Sequence, residues 1–150
     1  MAEFPEKILI ATDGANDSEL AIKRAVNLAN KTGSELHVVY VMIMSHWMLP
    51  DNLSEAQFRR LKEQAQEVLD GQLEKAREAG GNVTQGYLRT GRRADEEVID
   101  LAEEIEADMI VVGSRGAGTI RRAFMGSDAE SIVRHAAVPV LVVRSERQDR

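Results

Sequence analysis

One segment of the chain combines glycines and arginines in a spacing that could hold an anion, and it runs from Asp108 to Ser127. It opens with an apolar run, Met109 to Val112, which is typical of a buried strand and is interrupted by Gly113. A glycine-rich, cationic loop follows, and a helix is predicted to begin at Ser127. Glycines let backbone N–H groups approach a ligand, and a helix N-terminus adds a partial positive charge. The segment therefore predicts a phosphate cradle, with cations from Arg115, Arg121 and Arg122.

Each part of this segment also has a purely structural interpretation. A glycine commonly follows a strand because the chain must turn there. Ser127 and Glu130 have the spacing of a capping box, which many helices carry without any ligand. Turn chemistry explains any single glycine better than ligand binding does, whereas the complete set favours an anion site.

Composition narrows the possible classes of protein. A chain of 150 residues with 43% hydrophobic and 29% charged residues predicts a single globular domain spanning 1–150. The absence of cysteine excludes disulfides, thiolate catalysis and sulfur-based zinc sites. A net charge of −6 argues against broad nucleic-acid binding, which depends on Lys and Arg. No long apolar run or signal-peptide pattern is present in the sequence, so we expect a cytoplasmic protein with no membrane partner.

The rest of the chain alternates apolar runs with amphipathic stretches, which predicts strands alternating with helices. Strands are predicted at 7–12, 36–42, 82–89, 109–112 and 139–143, and helices at about 17–32, 55–79, 94–106 and 127–136. This alternation predicts an α/β fold with a parallel sheet and helices on both faces. If the strand order is 3-2-1-4-5, the winding reverses between the first and fourth strands, where ligands bind in such folds. The carboxyl ends of those strands are Thr12-Asp13 and Gly113-Ser114.

Three further stretches could form surfaces. The irregular segment from Ile43 to Asn52 contains the sole tryptophan, Trp47, and is interpreted as a cover for the core, a dimer contact or a lid. The acidic residues of the third helix, Asp95, Glu96, Glu97, Glu103 and Glu104, are expected to form solvated surface rather than a metal site. The last strand would be a flat apolar sheet edge, which a second copy could cover. We therefore expect a homodimer through Val140, Leu141, Val142 and Val143.

The sequence resembles the nucleotide-binding universal stress proteins. Their signature, Gly-x2-Gly-x9-Gly-[Ser/Thr], is matched by Gly113, Gly116, Gly126 and Ser127. The resemblance extends to the opening Lys-Ile-Leu-Ile-Ala-Thr-Asp-Gly, to Leu-His-Val in the second strand and to the closing Val-Pro-Val-Leu-Val-Val. It implies a Rossmann-like five-stranded parallel sheet in the order 3-2-1-4-5, a homodimer, and ATP or another adenine nucleotide as ligand.

The resemblance also implies which residues contact the nucleotide. Asp13 would contact the adenosine, and Val38 would hold the adenine edge through its backbone. Val112 and Gly113 would flank the ribose, and residues of the loop and of the last helix would surround the phosphates. The complete implied set is Thr12, Asp13, Val38, Val112, Gly113, Arg115, Gly116, Gly126, Ser127 and Asp128.

Asp128 departs from the family pattern, because relatives usually carry an apolar residue there. A carboxylate facing the phosphates could weaken ATP binding, favour a bridging Mg2+ or select a less charged nucleotide. It could equally be an acidic residue in the first turn of a helix, where the helix dipole favours negative charge. The sequence leaves these alternatives open.

Little in the sequence suggests catalysis. The P-loop motif is missing, and Gly113-Ser-Arg-Gly116 is not a nucleophile elbow because Val112 stands where the first glycine should be. The three histidines, His37, His46 and His135, share no metal-ligand spacing. The first turn has one glycine, Gly14, where dinucleotide binding needs three, and the phosphoacceptor aspartate and lysine of receiver domains are not in place.

Two classes of function follow. The first is a nucleotide-binding regulatory or stress-response protein with at most slow ATP hydrolysis. The second is a structural scaffold of the stress response that binds no nucleotide and acts through its dimer and a partner surface. The intact loop glycines favour the first.

Overall fold

The computed structural model describes residues 4–14, 17–44, 52–114 and 126–144, and its strands alternate with helices along the chain. The elements in chain order are β1 (Lys7–Thr12), α1 (Asp17–Thr32), β2 (Glu35–Ile43), α2 (Glu55–Glu78), β3 (Val83–Gly91), α3 (Ala94–Glu104), β4 (Met109–Gly113), α4 (Ser127–His135) and β5 (Val140–Val143).

All neighbouring strands of the sheet are parallel, and their order is β3-β2-β1-β4-β5. Ile10 in the central strand β1 pairs with Val38 of β2 on one side and with Val111 of β4 on the other. The winding therefore reverses between β1 and β4, as expected. The predicted fold class and strand order are confirmed.

The central strands are apolar throughout because helices cover both faces of the sheet. Ile8 and Ile10 pack with buried residues of α1 and α2, whereas Leu9 packs on the opposite face with residues of α3 and α4. These three side chains are at most 1% exposed. Burial of one such side chain stabilises the fold by roughly 1.5–3 kcal/mol.

The structure adjusts several of the predicted boundaries by one or two residues. β2 begins at Glu35 and β3 ends at Gly91, so both strands are longer than predicted. The helix α3 ends at Glu104 rather than Glu106, and Glu106 adopts a φ of 58°, which a helix cannot continue through.

The long helix α2 begins with a formed capping box. The Ser54 hydroxyl accepts a hydrogen bond from the Gln57 amide at 3.1 Å, and the Gln57 side chain accepts one from the Ser54 amide at 2.8 Å. Local side chains therefore satisfy two amides of this helix end.

None of the helices in the described ranges is long and apolar enough to cross a lipid bilayer. The segment around Trp47 and the loop carrying Arg115, Gly116, Arg121 and Arg122 lie outside the described residues.

Candidate functional site

A cavity of about 350 Å³ opens at the carboxyl ends of β1 and β4. It is the crevice that the strand order predicts, because the chain leaves these two neighbouring strands toward opposite faces of the sheet. Most of the residues implied as nucleotide contacts line it, namely Thr12, Asp13, Val112, Gly113, Gly126, Ser127 and Asp128. Arg115 and Gly116 lie outside the described residues.

One wall of the cavity is the N-terminus of α4. The N-cap residue is Gly126, which has extended backbone angles of −63° and 152° and makes no side-chain capping bond. Its own amide donates to the Ser114 carbonyl at 2.5 Å, and its carbonyl accepts the first helical bond from the Glu130 amide at 2.9 Å. This pair of bonds fixes the start of α4 beside the end of β4.

The capping box predicted from Ser127 and Glu130 is wrong. Ser127 is already the first helical residue, one position too late for its hydroxyl to act as the cap. As a result, the amides of Ser127, Asp128 and Ala129 have no hydrogen-bond acceptor among the described residues. These residues all line the cavity.

A buried polar cluster lies beneath the β1 side of the cavity. The Thr12 hydroxyl donates to Oε1 of Gln72 at 2.7 Å, accepts from the Gly14 amide at 3.2 Å and lies 3.1 Å from the Ser18 hydroxyl. Gln72 is 4% exposed and belongs to α2. Sequence reasoning missed it, although it occupies an inward position between the buried residues Leu69 and Ala76.

The structure does not bring Val38 to the cavity. Val38 pairs with Ile10 in the middle of the sheet and is fully buried. Thr12, at the end of β1, pairs instead with Tyr40, and the β2 residues that line the cavity are Tyr40, Val41 and Ile43. The pairing register of β1 and β2 determines which β2 residues line the cavity. This register cannot be read from the sequence pattern alone.

Two carboxylates, Asp13 and Asp128, line the cavity. The pKa of Asp128 is raised above its ordinary value of 3.8, first by partial burial and then by the negative charges of Asp95 and Asp13, while Arg93 opposes the shift. The described part of the cavity is therefore acidic as well as rich in free amides.

Asp95 corrects the expectation that the acidic face of α3 is wholly solvated. It is 4% exposed, and its carboxylate receives hydrogen bonds from Arg93 at 2.9 and 3.2 Å and from Ser131 at 2.5 Å. Burial alone would raise the pKa of Asp95, but the bonds from Ser131 and Arg93 lower it below its ordinary value. Glu96, Glu103 and Glu104 are exposed, as expected, whereas Glu97 is half-buried beside Arg89.

Within the described residues, no group of three or more His, Asp or Glu side chains is placed to hold a metal ion. His37 is buried near the start of β2, bonded to Tyr87 at 2.8 Å and to Glu35 at 2.9 Å, and His135 bonds to the Ser131 carbonyl on its own helix. Both histidines have structural partners.

The fold and the site together define the class of protein. It is a doubly wound α/β domain with a cavity where the strand order reverses. Comparison with known proteins gives the family, because the profile described as "Universal stress protein family" matches residues 5–144. The chain belongs to the universal stress protein family.

A Staphylococcus aureus (strain USA300) protein named as a universal stress protein is 39% identical over 142 residues, which cover 94% of this chain and 85% of that protein. Universal stress protein UspA from Lactobacillus plantarum has a similar structure, with a TM-score of 0.80, 25% identity, and coverage of 93% of this chain and 98% of that one.

Two other similar structures contain adenine nucleotides. A universal stress protein in complex with cAMP has a TM-score of 0.69 and 22% identity and covers 94% of this chain and 98% of its own. The Archaeoglobus fulgidus universal stress protein in complex with dAMP has a TM-score of 0.63 and 20% identity and covers 95% and 98%. At these identities the likeness is one of fold.

Proposed function

We propose that this chain binds an adenine nucleotide, ATP among them, in the cavity between β1 and β4. The observation that carries the proposal is the set of amides on Ser127, Asp128 and Ala129, which have no acceptor among the described residues and lie at a helix N-terminus that lines the cavity. Such amides, together with the helix dipole, bind phosphate oxygens.

The other walls suit the rest of a nucleotide. Tyr40, Val41 and Ile132 give apolar surface against which a purine can pack, and the Asp13 carboxylate can accept hydrogen bonds from ribose hydroxyls. A volume of about 350 Å³ lies within the range of small-molecule sites. The cAMP and dAMP complexes of the two similar structures are precedents for adenine nucleotides on this fold.

The carboxylates decide which form of nucleotide fits best. Asp128 would oppose a bare triphosphate, so ATP would bind with Mg2+, which Asp128 and phosphate oxygens would hold and which would neutralise part of their charge. A nucleotide with fewer charges would bind without the ion. We assign no catalytic residue, and nucleotide occupancy would regulate the protein with at most slow hydrolysis.

Regulation would act through a homodimer in the cytoplasm, with residues 1–150 as one domain. The reason to expect a dimer is β5, an edge strand in which the apolar side chain of Leu141 is 38% exposed.

A scaffold function without nucleotide is the second candidate, and the acidity of the cavity favours it. Asp128 lines the end of the cavity that the phosphates would enter, and Asp13 adds a second negative charge to the same cavity. If they dominate over the free amides, the cavity would reject anions, and the protein would act only through its dimer and a partner surface.

Isothermal titration of the purified protein with ATP, Mg-ATP, AMP and cAMP separates the two functions. We expect saturable binding of at least one of these, and mass spectrometry of gently purified protein should detect a co-purified adenine nucleotide. No saturable binding by any of them would refute the nucleotide function and leave the scaffold.

A further inference from the structure

Asp95 is buried at the first turn of α3, next to the cavity but outside its lining. Its neighbours Ala94 and Val98 do line the cavity. Burying a carboxylate costs free energy unless it is well paired. The hydrogen bonds from Arg93 and Ser131 offset that cost for Asp95, which is therefore part of the packed structure rather than a surface charge.

Ser131 connects this carboxylate to α4. It lies one turn after Ser127, and its hydroxyl donates to Oδ2 of Asp95 at 2.5 Å. His135, one turn later, bonds to the Ser131 carbonyl at 3.0 Å and lies 3.3 Å from its hydroxyl. The Ser131–Asp95 hydrogen bond therefore joins α4 to the start of α3, while His135 contacts Ser131 within α4.

Within the described part of the chain, α4 has few other contacts that fix its N-terminus. It is only nine residues long, and its N-cap makes no side-chain bond. The bond from the Gly126 amide to the Ser114 carbonyl holds its first residue, and the Ala129 and Ile132 side chains pack in the apolar core. Apolar packing permits small rotations of a helix, whereas a charge-assisted hydrogen bond is short and directional.

We propose that Asp95 is a positioning residue for the anion end of the cavity, acting through Ser131 to orient the free amides of Ser127, Asp128 and Ala129. The predicted effect on affinity rests on the proposed nucleotide function. The predicted effect on the orientation of α4 does not.

The test compares Ser131→Ala, which removes the bond, with Ser131→Thr, which keeps a hydroxyl at the same position. Asp95→Asn weakens the same bond by a second route, because Arg93 and Ser131 must then share one uncharged acceptor oxygen in place of two carboxylate oxygens. The matched control is Arg134→Gln, which removes an exposed ion pair with Glu130 on the same helix without touching Asp95.

Titration with AMP and with adenosine gives the decisive readout. We expect Ser131→Ala and Asp95→Asn to weaken AMP binding about tenfold, which corresponds to about 1.4 kcal/mol, while adenosine binding changes less than twofold. Ser131→Thr and Arg134→Gln should bind both ligands like the parent protein. Equal losses for AMP and adenosine, or no loss for either, would overturn the proposal.

Amide resonances of the ligand-free protein test the same link independently of binding. Ser131→Ala should shift the resonances of Gly126, Ser127, Asp128 and Ala129, and Ser131→Thr should restore them. If the parent protein binds no nucleotide, the proposed function fails. Unshifted resonances in Ser131→Ala would separately refute the proposal that Asp95 orients α4 through Ser131.

Discussion

The hydroxyl of Thr12, the last residue of β1, lies 2.7 Å from the side-chain oxygen of Gln72, which reaches it from α2. The same hydroxyl also accepts a hydrogen bond from the Gly14 amide. Thr12 is 6% exposed and Gln72 4%, so water cannot replace either partner readily. One hydroxyl therefore joins the end of the central strand, the turn after it and the longest helix.

Replacing Thr12 by valine should cost roughly 1–3 kcal/mol of unfolding free energy, because the shape is kept while the Gly14 amide and Oε1 of Gln72 each lose a hydrogen bond. Urea denaturation followed by circular dichroism measures this change. Thr90→Val on the edge strand β3 is the control, since Thr90 is half-buried and its hydroxyl has no hydrogen bond among the described residues. Equal losses of unfolding free energy in the two variants would show that the hydrogen bonds of Thr12 do not stabilise the fold.

Gly126→Asp should abolish nucleotide binding while the protein stays folded. Aspartate is a favoured N-cap residue, so its carboxylate would accept the free amides of α4 and repel phosphate from them. We expect no saturable AMP binding by titration and an unchanged or higher melting temperature. Undiminished AMP binding in a folded Gly126→Asp protein would place the ligand elsewhere.

Asp128→Asn should raise stability at neutral pH and lose that advantage in acid. The raised pKa means that the folded protein retains a proton which the unfolded chain has released, so the stability of the parent protein falls as pH rises from 3.8 through the higher folded pKa. The asparagine variant lacks this loss. The effect will be modest because Asp128 is only partly buried and solvent screens its interactions.

Urea denaturation of both proteins between pH 3 and pH 7 measures that difference, with the exposed Glu130→Gln as control. If Asp128 mainly serves the helix dipole, the asparagine variant would instead be less stable at pH 7. The sign of the change therefore separates the two interpretations of this carboxylate.

Leu141→Lys should convert the proposed homodimer into a monomer. A lysine on an edge strand blocks strand pairing between copies because it would bury a charge. Sedimentation velocity at micromolar concentration measures the change in mass. The same residue introduced on the other edge strand, as Gln85→Lys, should leave the dimer intact, and a parent protein that is already a monomer would refute the interface.

Local patterns predicted the alternating strands and helices, whereas the strand order, and with it the place of the cavity, was implied by the family resemblance. The apolar run of β1 and the break at Gly113 are visible without any tertiary information, and parallel alternation with short connections leaves few possible topologies. The residues at the carboxyl ends of β1 and β4 follow directly from that topology.

Details that depend on register or on tertiary partners were not predictable in this way. Val38 and Tyr40 are two residues apart on the same strand, and only the pairing with β1 shows that Tyr40 is level with the cavity. Asp95 looks like its acidic neighbours in sequence, and only Ser131, 36 residues away, explains why it is buried. The cap of α4 shifted by one residue, which propensity alone does not resolve.

The helix α2 has its first buried residue at Ala65, although it begins at Glu55. With a rise of about 1.5 Å per residue, the part of the helix before Ala65 is roughly 15 Å long. Phe58 and Leu61 in these turns are only half-buried, so this end of α2 is held by its capping box and by partial packing rather than by fully buried side chains. The half of α2 that carries Gln72 to the Thr12 hydroxyl is therefore anchored more firmly than the half that begins at the capping box.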